Sequence, residues 1–226
     1  MPNQIQLSHG GSFSALLQSR TLTPDPSPIR ERGEAPKTLV IACGALAREL
    51  LAIKQLNGLE HLDITCLPAI WHNTPEKIPE GVRRKIRANR ARYEAILCLY
   101  GDCGTGGLLD RVLEEEGVER IPGEHCYAFY AGIETFAAMH EAELGTFYLT
   151  DYLVRHFDRL IIKGLGLDRF PQLRDSYFGH YTRVMYLAQF ADATLEAKAR
   201  NAATRLGLAF EMQHTGVSTI TPFLSQ

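Results

Sequence analysis

The sequence predicts an α/β fold: a single doubly wound, mostly parallel sheet of about five or six strands, with helices on both faces and a helical insertion in the second half. Three observations predict it. Short β-branched, apolar runs alternate with amphipathic stretches from residue 37 onward, the pattern of parallel strands joined by crossover helices. Three of those runs end at or just before a cysteine that lies beside glycine or histidine: Cys43 in IACGA, Cys103 in YGDCGTGG and Cys126 in GEHCYAFYAG. A chain of 226 residues that is 45% hydrophobic is long enough to close one sizeable core.

The elements follow in order. Residues 1–36 are rich in Ser, Pro, Arg and Gly and show no sustained period, which predicts a disordered arm. Thr21–Glu34 also resembles translated interspersed repeat DNA, so a start assigned too far upstream is expected, and a chain beginning near Pro36 should fold equally well. Residues 37–226 are expected to form a single α/β domain. Thr38–Ala42 predicts the first strand, and Ala45–Leu56, apolar at spacings of three and four, predicts a helix. Leu62–Pro68 is the second strand, followed by a loop over Ala69–Thr74. Pro75 then suits a first helical turn, and a basic helix runs to about Arg92. Ala95–Tyr100 is the third strand, Leu108–Glu116 a helix, Val118–Ile121 a short fourth strand, and a helix runs from near His125 to Glu141.

In the second half, Thr150 and Asp151 can cap a helix reaching about Lys163, which Gly164–Pro171 breaks. Tyr181–Leu187 is a fifth strand, Leu195–Leu206 an alanine-rich helix ending at Gly207, and Leu208–Gln213 a sixth strand. Gly216–Leu224 is too short to assign.

Composition narrows the function. Net charge is −2, with no basic stripe interleaved with aromatics, which argues against nucleic acid as a partner. No apolar run reaches the roughly 20 residues needed to cross a bilayer, so no membrane partner is expected. Five cysteines are an odd number, and residues 1–20 lack an apolar block next to a cleavage site. A reducing, cytoplasmic setting with free or metal-bound thiols is therefore expected. Cys66 and Cys98 lie inside strand runs and read as small buried hydrophobes.

Ligands of open α/β sheets collect beyond the carboxyl ends of the strands. Cys43, Cys103 and Cys126 stand there, near predicted helix starts where a thiol pKa is lowered. Three soft thiolates with an open fourth position suit a catalytic zinc, the favoured ion; a 4Fe–4S cluster is the alternative. Their spacing matches no zinc-finger signature, so this expectation needs all three on neighbouring strands. The glycine loop could cradle an anion through Gly101, Gly104, Thr105, Gly106 and Gly107, with Gly44 in the first turn. Asp102 and His72 are candidates for moving a proton, and Trp71, Asn73 and His125 for supporting contacts. His61, His140 and His156 have no motif around them. The tyrosines from Tyr127 to Tyr186 read as core more than as a cofactor pocket, and Arg83–Arg92 as a solvated basic face.

IACGALAREL, LPAIWHNTPEKIP, YGDCGTGGLLD, HCYAFYAG, GTFYLTDYL and YLAQ, in that order, resemble the domain-of-unknown-function family numbered 1638. The resemblance runs from about Thr38 to Phe223. It implies gene neighbourhoods of corrinoid proteins, trimethylamine-type methyltransferases and corrinoid-reactivating proteins, hence a role in corrinoid-dependent one-carbon metabolism. It also implies shared roles for Cys43, Cys103, Cys126, His72 and Asp102. The expectation is a metal–thiolate enzyme acting on a small-molecule substrate. The alternative is a non-catalytic corrinoid or metal carrier that docks on a corrinoid protein or methyltransferase. A third reading is a metal-free enzyme in which Cys103 attacks with His72 or His125 as base.

Overall fold

Alternation within the first strand shows how the core is laid out. In β1 (Thr38–Cys43), Val40 and Ala42 enter one apolar cluster while Leu39 and Ile41 enter another, so the strand is buried on both faces. The computed structural model describes residues 37–225; the arm expected over 1–36 lies outside the described residues. β1 pairs in parallel with β2 (Leu62–Leu67) on one side and β3 (Ala95–Leu99) on the other, and β3 pairs with β4 (Glu119–Arg120). The order is β2-β1-β3-β4. The strands that precede Cys43, Cys103 and Cys126 are thus consecutive neighbours, as the expectation of converging thiols requires.

Helix α1 (Ala47–Leu56) buries Leu50 and Ile53 on one face of this sheet. Helices α2 (Ile78–Asn89) and α3 (Leu108–Glu116) bury Val82, Ile86, Leu109 and Leu113 on the other. The chain reverses direction across β1, which leaves a crevice at the carboxyl ends of β1 and β3.

The helix expected over His125–Glu141 is two helices. Gly132, at φ +85°, separates α4 (Cys126–Ala131) from α5 (Ile133–Ala142).

The second half departs from the expected single sheet. β5 (Thr146–Thr150), which the sequence reading had not marked as a strand, pairs in parallel with β6 (Arg183–Ala188), and β6 with β7 (Ala209–His214). The molecule therefore has two parallel sheets, of four and three strands, where one of five or six was expected. β4 is only two residues long and leaves little edge for a further strand to pair with. Phe136 and Met139 of α5 instead pack against Tyr148, Met185 and Leu187 of the second sheet.

On the opposite face of that sheet lie α6 (Asp151–Arg155), α7 (Leu173–Phe178) and α8 (Ala193–Leu206), which bury Val154, Phe178, Leu195 and Ala199. Asp192 caps α8 through bonds from the Thr194 and Leu195 amides, and Gly207 ends it. The last helix, α9 (Thr221–Leu224), returns Phe223 and Leu224 to the α1 side of the first sheet. No helix among the described residues is long and apolar enough to cross a membrane.

Candidate functional site

The carboxyl ends of β1, β3 and β5 open onto a cavity of about 230 Å³. Cys43, Cys103 and Cys126 line it, with Tyr100 and Gly101 at the end of β3, Thr150 at the end of β5, and Trp71, His72 and Asn73 from the loop after β2. No charged side chain is among the described residues on its wall.

Backbone fit sets the Cys103 loop against the start of α4. A Cβ on Gly101 would lie 2.8 Å from the Glu124 carbonyl oxygen and 3.0 Å from the His125 nitrogen. Only glycine lets the segment leading into α4 pass this close. The Cys103 amide then donates to the Glu124 carbonyl at 2.9 Å, which ties the Cys103 loop to the start of α4 and Cys126. Cys103 adopts φ +49°, the sole positive φ at a non-glycine position among the described residues. A left-handed β-substituted residue costs free energy and needs its surroundings to hold it there. Trp71 is held in a similar way, since a Cβ on Gly81 of α2 would come within 2.4 Å of its ring.

The electrostatics reverse one expectation. Helix starts were to lower the thiol pKa values, but burial dominates. It pushes Cys103 up to about 11 and Cys126 well above the ordinary value, with the neighbouring sulfurs adding to both. Cys43 is also raised by burial, although the Ala45 amide and the nearby Tyr100 hydroxyl work against it. All three are neutral thiols near pH 7 when no ion is bound. Surrounding protein, and then His125, hold His72 below its usual value, so it is a neutral base at the exposed mouth.

The glycine loop also differs from expectation. The Asp102 carboxylate accepts from the amides of Gly104 at 3.2 Å, Gly106 at 3.1 Å and Gly107 at 2.8 Å, and from the Thr105 hydroxyl at 2.7 Å. The cradle expected to hold an external anion is filled by the loop's own carboxylate. Burial opposes its ionisation, but these bonds outweigh it and lower its pKa. Asp102, Gly44, Gly104, Thr105, Gly106 and Gly107 are not on the cavity wall; of the expected anion-binding group only Gly101 is. Asp102 therefore shapes the turn that presents Cys103, and nothing in its placement suits it to transfer a proton. His125 is the residue before α4 and lies 6.3 Å, ring to ring, from Tyr127; it supports the wall without lining it.

Among the described residues, no three His, Cys, Asp or Glu side chains already stand as a metal cage. The thiols share the cavity, and an ion would have to draw them together.

Two features escaped the sequence reading. Tyr100 is 2% exposed, and its hydroxyl, sealed from solvent and without a partner of full hydrogen-bonding geometry, interacts with the Cys43 thiol. Glu49 on α1 is 1% exposed with both carboxylate oxygens unpartnered. Burial, with a contribution from Asp151, raises its pKa. Asp151 itself is fully buried but well satisfied, by the Tyr186 hydroxyl at 2.7 Å, the Gln189 amide at 3.2 Å and Arg155 at 3.3 Å. Tyr100 ends a strand-like run and Glu49 follows a helix start, so each looks like an ordinary single polar residue in sequence. The one available signal for Tyr100 was its position, last in AILCLY and immediately before the glycine loop.

Residues 66–224 match the family described as "Protein of unknown function (DUF1638)". The chain belongs to the DUF1638 family. Within this DUF1638 chain, His72, Cys103 and Cys126 fall in the matched stretch, and Cys43 precedes it. No curated protein matches the sequence. Among solved structures, ornithine carbamoyltransferase from Pyrococcus furiosus aligns at 14% identity and a TM-score of 0.24. The alignment covers 82% of this chain and 56% of the carbamoyltransferase. That similarity is too low to carry an argument.

Proposed function

We propose that this protein is a metal–thiolate enzyme, with zinc the favoured ion, acting on a small molecule in the cavity at the strand ends. The observation that carries the reading is the convergence of Cys43, Cys103 and Cys126, from three separate segments, on one cavity of about 230 Å³. Thiol pKa values raised by burial weigh against the metal-free reading, because the thiolate is the nucleophile and too little of it exists near pH 7. A soft ion changes that balance, since a coordinating thiol is deprotonated outright. Three thiolates about a divalent ion leave a single negative charge, which a wall without carboxylates does not worsen.

Zinc held there would supply Lewis acidity toward a bound thiol, water or carbonyl. Around it, Trp71 and the aromatic wall exclude water, and the neutral His72 at the mouth accepts or returns the proton. The cavity is smaller than the roughly 300–1,000 Å³ typical of drug-sized ligands. A corrinoid macrocycle therefore does not fit inside it, which favours the small-molecule reading over corrinoid carriage at this site. That the molecule belongs to corrinoid-dependent methyl-group metabolism is proposed from the family resemblance alone.

The test is metal analysis of protein purified without oxygen, beside the Cys43→Ser, Cys103→Ser, Cys126→Ser triple variant. About one zinc per chain, lost in the variant, supports the proposal. Equal metal content in the two proteins overturns it.

A further inference from the structure

The three thiols that line the cavity are not held alike. Cys43 ends β1, and its sulfur is engaged by its own turn: the Ala45 amide donates to it at 3.5 Å, and the Tyr100 hydroxyl lies beside it. Cys103 and Cys126 are held to each other. The Cys103 amide donates at 2.9 Å to the carbonyl of Glu124, two residues before Cys126, and the Cys126 amide faces the Cys103 sulfur. On the Cys126 thiol, in turn, the Cys103 sulfur acts more strongly than the Cys43 sulfur. An amide nitrogen and the sulfur of the same cysteine are separated by three bonds. A sulfur placed at the Cys126 amide therefore reaches the Cys126 sulfur by side-chain rotation, the approach that a disulfide requires. Gly104, Gly106 and Gly107, all at positive φ, follow Cys103 and let its loop adjust. Cys66 and Cys98 lie within β2 and β3 and off the cavity wall.

We propose that Cys103 and Cys126 form a redox pair, which hydrogen peroxide joins in a disulfide and so withdraws from the metal site. What the disulfide controls rests on the metal reading above; its formation does not. The oxidant is small and uncharged because the wall carries no charged side chain, and a charged oxidant would lose its hydration with no counter-charge in return. One thiolate attacks a peroxide oxygen, the O–O bond breaks, and water leaves with the proton that the thiol gave up; the product is a sulfenic acid. The second sulfur then attacks the first, the S–O bond breaks and another water leaves. Two thiols thus lose two hydrogens, and their two electrons reduce one peroxide to two waters. Only the Cys43 sulfur then remains for a soft ion, so the oxidised chain releases it. A dithiol reverses the reaction by thiol–disulfide exchange and restores the site.

The experiment treats the full-length chain, purified without oxygen and loaded with zinc, with excess hydrogen peroxide. The remaining thiols are alkylated in denaturant and the non-reduced peptides are mapped by mass spectrometry. Zinc is measured before oxidation, after it, and after dithiothreitol. The parent should lose two hydrogens per chain, show Cys103 and Cys126 in one cross-linked peptide pair, and release zinc in proportion to the cross-link. Dithiothreitol should restore both thiols and the zinc. Cys43→Ser should form the same cross-link, whereas Cys103→Ser and Cys126→Ser should form none and stop at a sulfenic or sulfinic acid. A parent that forms no cross-link overturns the proposal, as does one cross-linked through Cys43, Cys66 or Cys98. Zinc retained by the cross-linked chain overturns it too, because two of its three sulfurs would be gone. A parent that takes up no zinc yet forms the cross-link would remove the metal reading and leave the redox pair. Zinc uptake without a cross-link would do the reverse, so the two failures are distinguishable.

Discussion

Replacing Asp102 separates a structural carboxylate from a catalytic one. Its four acceptor contacts go to three amides and one hydroxyl of its own loop. Gly104 and Gly106 are exposed, so water can replace the carboxylate at those amides; Thr105 is buried and Gly107 half-buried, so there it cannot. Leaving a buried donor unsatisfied costs about 1–3 kcal/mol, and solvent screening reduces the rest of the loss. Asp102→Ala should therefore cost about 2–4 kcal/mol, which for a chain of this size lowers Tm by about 5–15 °C. Asp102→Asn should cost less, because one amide oxygen still accepts.

The pH dependence has a definite sign. The folded carboxyl pKa is lowered, so the stabilisation is fully present above the unfolded value of about 4 and is lost as pH falls through the folded value. The Tm gap between parent and Asp102→Asn should be flat from pH 8 to 5 and shrink below about pH 4. Thermal unfolding followed by circular dichroism across that range is the assay. Unchanged stability would mean that the carboxylate does not hold the turn and would make Asp102 a catalytic candidate again.

Three further outcomes follow from the same geometry. Gly101→Ala places a Cβ against backbone atoms of Glu124 and His125 and should cost about 1–3 kcal/mol in urea unfolding; an unchanged midpoint would mean that this approach is not tight. Glu49→Gln removes a buried, unpartnered carboxyl whose pKa is raised, so the variant should match the parent near pH 4 and become the more stable one as pH rises to neutrality. A variant less stable than the parent at pH 7 would show that the carboxylate has a partner. Cys103, pushed up to about 11, should react with iodoacetamide at pH 8 more than a hundredfold slower than a free thiol of pKa about 8.5, as mass spectrometry of timed quenches would show. Labelling at the free-thiol rate would contradict the burial argument.

The first sheet was legible because its three longer strands are short apolar runs that stop at cysteine, proline or glycine. Its split from the second sheet was not legible. Whether successive parallel strands join one sheet or two depends on the edges, and a β4 of two residues leaves almost no edge. β5 was missed because TFYLT is short and looked like part of an aromatic and polar cluster. That Cys43, Cys103 and Cys126 line one cavity was legible from their position after neighbouring strands. Asp102 was misjudged because an acidic residue beside a thiol looks the same in sequence whether it faces a cavity or caps its own glycine turn. Thiol pKa values were misjudged for a related reason: helix starts are visible in a sequence, whereas depth of burial is set by the cover that the second sheet and the loop after β2 provide.

The proposed metal site has Cys43, Cys103 and Cys126 together holding one soft ion. X-ray absorption at the zinc edge on the metal-loaded full-length chain counts the sulfur atoms around it. Three sulfurs at about 2.3 Å are expected, falling to two in each single Cys→Ser variant. A zinc surrounded by nitrogen and oxygen alone, or a sulfur count unmoved by all three variants, would contradict it.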